Sequence, residues 1–345
     1  AAEGVERFGG IPFAEPPLGK LRFAAANLST SPWPGGRLNA TGFGPPCINN
    51  PLGDPREVPL DGSTPAPSED CLYLNIWRPR LDPETLRAPA RVPVMVYIFG
   101  GGLCGGYAGN RYFNGSVLAR EHGVMVITVS YRLGALGFLV SDDFSGPGNG
   151  GMNGIRDVAT ALRWIQKYIE HFDGDPDRVT LFGQSSGAYT ACTLSVSPEA
   201  AGLFSRLILQ SGPCFGGPPH RGWGPRNASY GVKVAHEVMA AVNASSLEEL
   251  RQVPAERVQW PDYTMNDPSV APFFSGYFED PGMVPGPADK LWASGHINPK
   301  EIIVGFNSKD GTAAFYGIAP TLGLVAPDKR QTSASDYEAS IRAAW

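Results

Sequence analysis

The sequence predicts an α/β fold in which a central, mostly parallel sheet carries helices on both faces. Residues 92–99 and 124–131 form continuous apolar runs, which are typical of strands buried on both faces. Between such strands, residues 155–171 place apolar side chains at helical spacing, and Gly174 and Pro176 follow as stop signals. Further strands are predicted at 72–77, 179–182, 205–210 and 301–306.

No repeat, low-complexity run or linker divides the chain, so we expect a single domain over residues 1–345. Residues 215–300 are loop-rich, with helices predicted around 230–242 and 247–253. We expect this region to form a cap over the carboxyl edge of the sheet, where open α/β sheets bind ligands. Residues 8–23, rich in Pro and Gly, are predicted to form an ordered, non-helical surface segment. Its apolar anchors are Ile11, Phe13, Leu21 and Phe23.

The composition argues against several classes of partner. With 42% hydrophobic residues, the chain can bury a large core. The net charge of −5 and the lack of a basic run argue against a nucleic-acid partner. No uninterrupted apolar stretch reaches the length of about 18 residues that a transmembrane segment needs. Neither the cysteines nor the histidines have metal-ligand spacing, so we expect no metal and no organic cofactor.

Five N-x-[ST] sequons favour passage through a glycosylating compartment. One such pattern arises easily by chance, but five in polar surroundings carry more weight. We therefore expect a glycoprotein that is secreted or held in the endomembrane lumen, with a targeting segment removed before Ala1. The candidate glycosylation sites are Asn27, Asn39, Asn114, Asn227 and Asn243.

The five cysteines are an odd number, which in an oxidising compartment implies buried thiols or a partner outside these residues. A long proline-rich region, 27–67, needs fastening. Cys47 and Cys71 are the natural pair to do so, since a bond between them would close a loop of roughly 25 residues. A disulfide between them would contribute about 3 kcal/mol in the chain-entropy model. The alternative is that both are thiols. The remaining cysteines are Cys104, Cys192 and Cys214.

The motif Gly-Gln-Ser-Ser-Gly at 183–187 follows a short β-branched apolar run and precedes a helix-like stretch. A G-x-S-x-G between a strand and a helix is typical of a nucleophilic serine held on a sharp turn. The glycines are needed because strand and helix approach closely there. We therefore interpret Ser185 as a nucleophile, the alternative being an ordinary strand-to-helix turn.

Three glycines, 100–102, end the predicted strand at 92–99. Glycines after a buried strand let backbone N–H groups reach a substrate oxygen, and one such donor contributes about 3–4 kcal/mol in a transition state. The alternative is a flexible turn, which the nearby serine motif makes less attractive.

Together these residues resemble the type-B carboxylesterase/cholinesterase family, which has the α/β-hydrolase fold. The matching blocks occur in the order that the family shows and span most of the chain. They are FGGIPFAEPPLGKLRF (8–23), EDCLYLNIW (69–77), YIFGGGL (97–103), YRLGALGFL (131–139) and residues 154–187.

The resemblance implies a role for each matching site residue. Ser185 would be the nucleophile, and Gly101, Gly102 and Ser186 would offer backbone N–H groups as the oxyanion hole. Asp310 would be the acid of the catalytic triad. The resemblance also implies a Cys47–Cys71 disulfide and buried structural ion pairs that join Arg22 to Glu69 and Arg132 to Asp157.

The main departure from the family's pattern is the base. In this fold the triad runs serine, acid, histidine in chain order, but no histidine follows Asp310. We expect the fold to be incomplete at its C-terminus and these residues to be the N-terminal portion of a longer precursor. The base would then lie in a missing segment or on a second chain. The histidines present, expected to be surface or structural residues, are His122, His171, His220, His236 and His296, with His220 or His296 as possible substitutes.

Three smaller departures concern the acid, the residue before the serine and the substrate specificity. The acid is Asp310 where most members carry Glu, and Gln184 stands where the family usually has Glu. The 47–71 loop contains no aromatic residue to hold a quaternary ammonium group, which disfavours choline esters.

The leading hypothesis is a secreted serine carboxylic-ester hydrolase that forms an acyl-enzyme on Ser185 and acts on small-molecule or lipid esters. One alternative is a catalytically inactive, cholinesterase-like adhesion or binding module. Another is a lipase or sterol-ester hydrolase, which predicts a mobile apolar lid, with 47–71 as a candidate.

Overall fold

The computed structural model describes residues 4–30, 33–48, 65–80, 91–140, 151–212, 227–259 and 277–307. Contacts group residues 1–304 into one compact unit and 305–345 into a second, of which 305–307 are described. The prediction of a single domain over residues 1–345 stays a prediction.

Seven strands in the described residues form one sheet. They are β1 (Val5–Pro12), β2 (Tyr73–Pro79), β3 (Val92–Ile98), β4 (Met125–Val129), β5 (Gly174–Gln184), β6 (Arg206–Gln210) and β7 (Glu301–Gly305). Their order across the sheet is β1-β2-β4-β3-β5-β6-β7. β4, β3, β5 and β6 pair in parallel, whereas β1 pairs with β2, and β2 with β4, in antiparallel fashion. The predicted mostly parallel sheet is confirmed.

Helices connect the strands and extend the fold beyond the sheet. They are α1 (Ser116–His122), α2 (Gly134–Phe138), α3 (Asn153–Tyr168), α4 (Ser186–Val196), α5 (Ala228–Ala241), α6 (Leu247–Gln252), α7 (Ala255–Gln259) and α8 (Ala288–Ala293). No helix in the described ranges combines the length and the apolar character needed to cross a membrane.

The long helix α3 confirms its predicted apolar face, because every side chain of that face is fully buried. A 3-10 turn over Ile169–Phe172 completes the predicted 155–171 element. Strand β4 is buried throughout, as expected. Strand β3 differs from the prediction: its side chains alternate between buried and half-buried, so only one of its faces lies fully in the core.

The N-terminal segment is less superficial than the sequence predicts. Part of it forms β1, whose register with β2 shifts between Phe8 and Ile11. The ladder with β2 supplies the backbone partners that this glycine-rich stretch cannot provide by itself. Ile11, Phe13 and Phe23 are buried as expected, whereas Leu21 is half-buried in a short 3-10 turn.

The predicted helices near 230–242 and 247–253 are present as α5 and α6. With α7 they form a second apolar cluster, in which Val238, Leu250 and Val258 pack with Leu136 and Leu139. Leu136 belongs to α2, which follows the carboxyl end of β4. A contiguous apolar layer therefore joins this region to the sheet end where the connecting loops lie.

Both structural ion pairs that the resemblance implies are present. The Arg22 guanidinium binds Glu69 through two hydrogen bonds, of which Nε to Oε2 is 2.7 Å. Arg132 donates to Asp157 from Nε at 2.8 Å and from Nη2 at 2.7 Å. The Cys47–Cys71 disulfide is also present, and Cys192 is disulfide-bonded, whereas Cys214 lies outside the described residues.

A third buried ion cluster is not predicted from the sequence. Arg156 of α3 donates from Nη2 to Asp280 at 2.7 Å and to Glu199 at 3.1 Å. Burial opposes the charge, but the two carboxylates outweigh it and raise the pKa of Arg156 above its ordinary value. The cluster therefore binds the segment around Asp280 to helix α3.

Candidate active site

Ser185 lies at the junction of β5 and α4, in a backbone conformation that serine rarely adopts. Its φ is +54° and its ψ is −127°, so the turn is strained. The turn is held on both sides: Ser185 N donates to Gln210 O at 2.9 Å, and Ser185 O accepts from Tyr189 N at 3.1 Å. The side chain is half-exposed at the end of the strand. This is the geometry that the motif predicts for a nucleophile.

The two motif glycines are required by close packing of backbone on backbone. A Cβ on Gly183 would lie 2.5 Å from the carbonyl carbon of Gly187. A Cβ on Gly187 would lie 2.1 Å from Ile98 O of β3. Real Cβ atoms do not approach backbone this closely, so the sharp elbow depends on glycine at both positions.

The glycine loop after β3 lies directly beside the nucleophile. A Cβ on Gly100 would be 2.9 Å from Ser185 Cβ. Gly101 and Gly102 both have positive φ, at +120° and +65°. The Gly101 carbonyl accepts hydrogen bonds from Gly105 N at 3.0 Å and from the Cys104 thiol at 3.4 Å. These hydrogen bonds close the loop into a turn.

Gly100, the residue before the expected donors Gly101 and Gly102, is thus close to Ser185. Within the described part of the chain, the N–H groups of Gly101 and Gly102 donate to no other residue. Ser186 is the first residue of α4, where the N–H has no acceptor within the helix and the helix dipole is positive. Unengaged N–H groups beside a serine hydroxyl can stabilise a negatively charged oxygen.

The base and the acid are not placed. Asp310 and His220 lie outside the described residues. The four described histidines, His122, His171, His236 and His296, are exposed, as expected for surface residues. The His296 ring lies 3.0 Å from Ser294 Oγ through Nδ1, which gives no support for His296 as a substitute base.

All five sequon asparagines have exposed side chains, which glycosylation requires. Two of them also shape the local backbone: Asn227 caps α5 by accepting from Tyr230 N, and Asn114 accepts from Ser116 N. No group of three or more metal-ligating side chains is assembled in the described ranges.

Two tyrosines near the elbow are not among the site residues that the sequence predicts. Tyr277 donates to Ser186 O at 3.2 Å, and Thr190 Oγ1 donates to the same carbonyl at 3.1 Å. Tyr131 donates to Phe99 O, immediately before the glycine loop, at 2.8 Å. Burial raises the pKa of both tyrosines above the ordinary value, so they remain neutral donors. Tyr131 lies in one of the blocks that resemble the family, and this position is the sequence signal that could have identified it.

A mostly parallel sheet that carries a serine on a strained strand-to-helix turn, beside a glycine loop, defines an α/β-hydrolase. Comparison with known proteins makes this assignment specific. Residues 1–343 match the Carboxylesterase family, and the chain belongs to this family.

Relatives and solved structures agree with this assignment. The chain is 43% identical over 212 residues to a pyrethroid hydrolase, Ces2e, of Rattus norvegicus, covering 61% of this chain and 35% of that protein. It is 34% identical over 349 residues to neuroligin-2 of Homo sapiens, covering 89% and 39%. A PNB esterase structure matches with a TM-score of 0.78 at 30% identity, covering 92% of this chain and 62% of that one. The chain thus spans little more than a third of the length of these two relatives.

Proposed function

We propose that the complete protein is a secreted serine carboxylic-ester hydrolase with Ser185 as its nucleophile. The observation that supports this most strongly is the strained backbone of Ser185 beside the glycine loop. A strained, half-exposed serine has no advantage in a purely structural turn, whereas a nucleophile needs its hydroxyl projected toward substrate.

In the proposed mechanism, Ser185 Oγ attacks the ester carbonyl carbon while a histidine takes the hydroxyl proton. The carbonyl oxygen becomes an oxyanion beside the N–H groups of Gly101, Gly102 and Ser186. Collapse of this intermediate expels the alcohol, which receives the proton, and leaves an acyl group on Ser185. Water, activated by the same histidine, then releases the carboxylic acid and restores the serine.

We place the base histidine outside the described residues, on a further part of the precursor or on a second chain derived from it. The exposed positions of the described histidines support this placement, as does the greater length of the relatives. Asp310 remains the proposed acid, which would hold the histidine in the productive tautomer and stabilise its protonated form.

The proposed substrates are small-molecule or lipid carboxylic esters. The Rattus norvegicus relative is named as a pyrethroid hydrolase, and the matching solved structure is a PNB esterase. Hydrolysis rates on soluble and micellar forms of one ester separate the two substrate classes, because a lipase-like protein is activated at the micelle surface. The exposed sequon asparagines support a secreted glycoprotein.

The second candidate function is an adhesion or binding module without catalysis. The similarity to neuroligin-2 over most of the chain supports this second candidate. The elbow and the glycine loop weigh against it, because a binding module needs neither of them.

The experiment that tests the proposal replaces Ser185 with alanine in the full-length protein. Hydrolysis of p-nitrophenyl esters should fall by at least about 10⁴-fold, because the nucleophile is lost. Ser205→Ala is the matched control and should keep full activity, because within the described residues the Ser205 hydroxyl bonds two backbone carbonyls of β5, those of Asp177 and Val179. Retained turnover in Ser185→Ala would contradict the assignment, and a folded wild type without any ester turnover would favour the binding module.

A further inference from the structure

The two residues that flank the glycine loop are both hydrogen-bonded to side chains from distant parts of the fold. Before the loop, Phe99 O accepts from Tyr131 OH at 2.8 Å. After the loop, Leu103 N donates to Ser186 Oγ at 3.3 Å. Tyr131 lies between β4 and α2, and Ser186 begins α4. The loop is therefore held at both ends, from two different elements.

Each hydroxyl bonds one end of the loop. Tyr131 donates its single proton to Phe99 O, and Ser186 Oγ accepts from Leu103 N. The two hydroxyls come from different parts of the fold, so each end of the loop has an anchor of its own.

Both hydrogen bonds are closed to solvent. Tyr131 and Leu103 are completely buried, and Ser186 and Phe99 are each 1% exposed. Bulk water therefore cannot replace a lost hydroxyl, and a buried polar group left without its partner is costly. Leu103 also has a positive φ of 64°, a strained conformation for leucine that its bond to Ser186 helps to hold.

We propose that the Ser186 hydroxyl and Tyr131 form a clamp that positions the oxyanion donors, so that both are positioning residues for ester hydrolysis. This inference rests on the proposed function. Gly101 and Gly102 have no side chains to anchor them, so the placement of their N–H groups depends on the hydrogen bonds within the loop and on the clamp at either end of it. Ser186 then acts twice, with its N–H toward the substrate and its hydroxyl toward the loop.

The test uses Ser186→Ala and Tyr131→Phe in the full-length enzyme. Both variants keep every backbone donor and remove one hydroxyl of the clamp. We expect kcat to fall about tenfold with KM unchanged, less than the roughly 10²–10³-fold loss that follows removal of a whole donor. A trifluoromethyl ketone, which forms an oxyanion on the nucleophilic serine, should bind more weakly by the same factor. The double variant should lose more than either single one, because the two hydroxyls bond opposite ends of the loop.

Two matched controls separate positioning from general stability. Ser195→Ala removes a buried hydroxyl of the same helix that bonds Cys192 O and Trp292 Nε1. Tyr97→Phe removes a tyrosine hydroxyl of β3 that has no hydrogen bond within the described residues. Either change can lower the melting temperature, but both should leave kcat and trifluoromethyl ketone affinity within about twofold, since neither hydroxyl touches the loop.

Hydrogen exchange of the peptide containing residues 99–105 gives a readout independent of activity. Exchange should accelerate in both clamp variants and not in the controls. If the wild type hydrolyses esters but the clamp variants keep wild-type kcat, ketone affinity and exchange, the clamp is refuted and the proposed function stands. If the wild type neither hydrolyses esters nor labels at Ser185, the proposed function fails, and accelerated exchange would still establish the clamp as a structural feature.

Discussion

Replacing Asp157 with alanine should be among the most destabilising single changes in this chain. The Asp157 side chain is completely buried and accepts three hydrogen bonds from Arg132, from the backbone N at 3.0 Å and from Nε and Nη2. The Arg132 side chain is 5% exposed, and its Nη1 already has no partner in the described structure. Removing the carboxylate therefore leaves a buried guanidinium without a counter-charge.

The expected cost follows from that geometry. An uncompensated charge left by breaking a buried pair costs about 3–5 kcal/mol. Native proteins are stable by only about 5–15 kcal/mol, so the change removes about a fifth of the total or more. In urea unfolding followed by tryptophan fluorescence, the midpoint should fall strongly while the slope of free energy against urea stays the same.

The matched control is Glu170→Ala, which breaks the ion pair with Arg91. Those two side chains are 44% and 47% exposed, and surface pairs of this kind contribute about 0–1 kcal/mol. The reasoning would be refuted if Asp157→Ala cost no more than Glu170→Ala, since burial would then have no bearing on the energy of the pair.

Three further outcomes follow from the described contacts. Gly187→Ala forces a Cβ against the backbone of β3 and should destabilise the protein by about 1–3 kcal/mol or prevent folding. Gly42 has open space around it, so Gly42→Ala should leave the stability unchanged. Thermal melts of the two variants test this difference. Replacing both Cys47 and Cys71 with serine should cost about 3 kcal/mol, measured by urea unfolding, because their disulfide closes a loop with a separation of 24 residues. Burial raises the pKa of Tyr97 to about 12 in the folded protein, compared with about 10 in the unfolded chain. The stability that the neutral hydroxyl contributes is therefore fully present below about pH 10 and is lost as the pH rises toward 12. Urea midpoints should therefore fall above about pH 10, and fall less steeply in Tyr97→Phe.

The positions of the central strands and the buried face of α3 could be predicted because a local sequence pattern determines them, although the apolar run of β3 overstates the burial of its second face. Continuous apolar runs and a helical period report directly on what an element must pack against. Of the short helices, α6 is predicted near its observed position, but α2 could not be predicted in this way. Helix α2 is only five residues long and contains two glycines, which disfavour helix formation. It forms because tertiary contacts hold it, with Gly134 N donating to Leu103 O and Leu136 N to Gln259 Oε1.

The candidate site shows the same division. The elbow at Ser185 could be predicted because its determinants lie within five consecutive residues. The clamp could not, because Leu103 and Ser186 are 83 positions apart, and nothing local marks a hydroxyl as a partner for a distant backbone N–H. Arg156 and Asp280 are 124 positions apart, so their pairing also depends on the assembled fold.

The central claim is that Ser185 is an activated nucleophile. The most direct measurement is fluorophosphonate labelling of the full-length protein, followed by mass spectrometry of the modified peptide. We predict that the fluorophosphonate labels Ser185 stoichiometrically. The label should be absent in Ser185→Ala and retained in Ser205→Ala. A folded protein that takes no label, or that takes it on another serine, would contradict the claim.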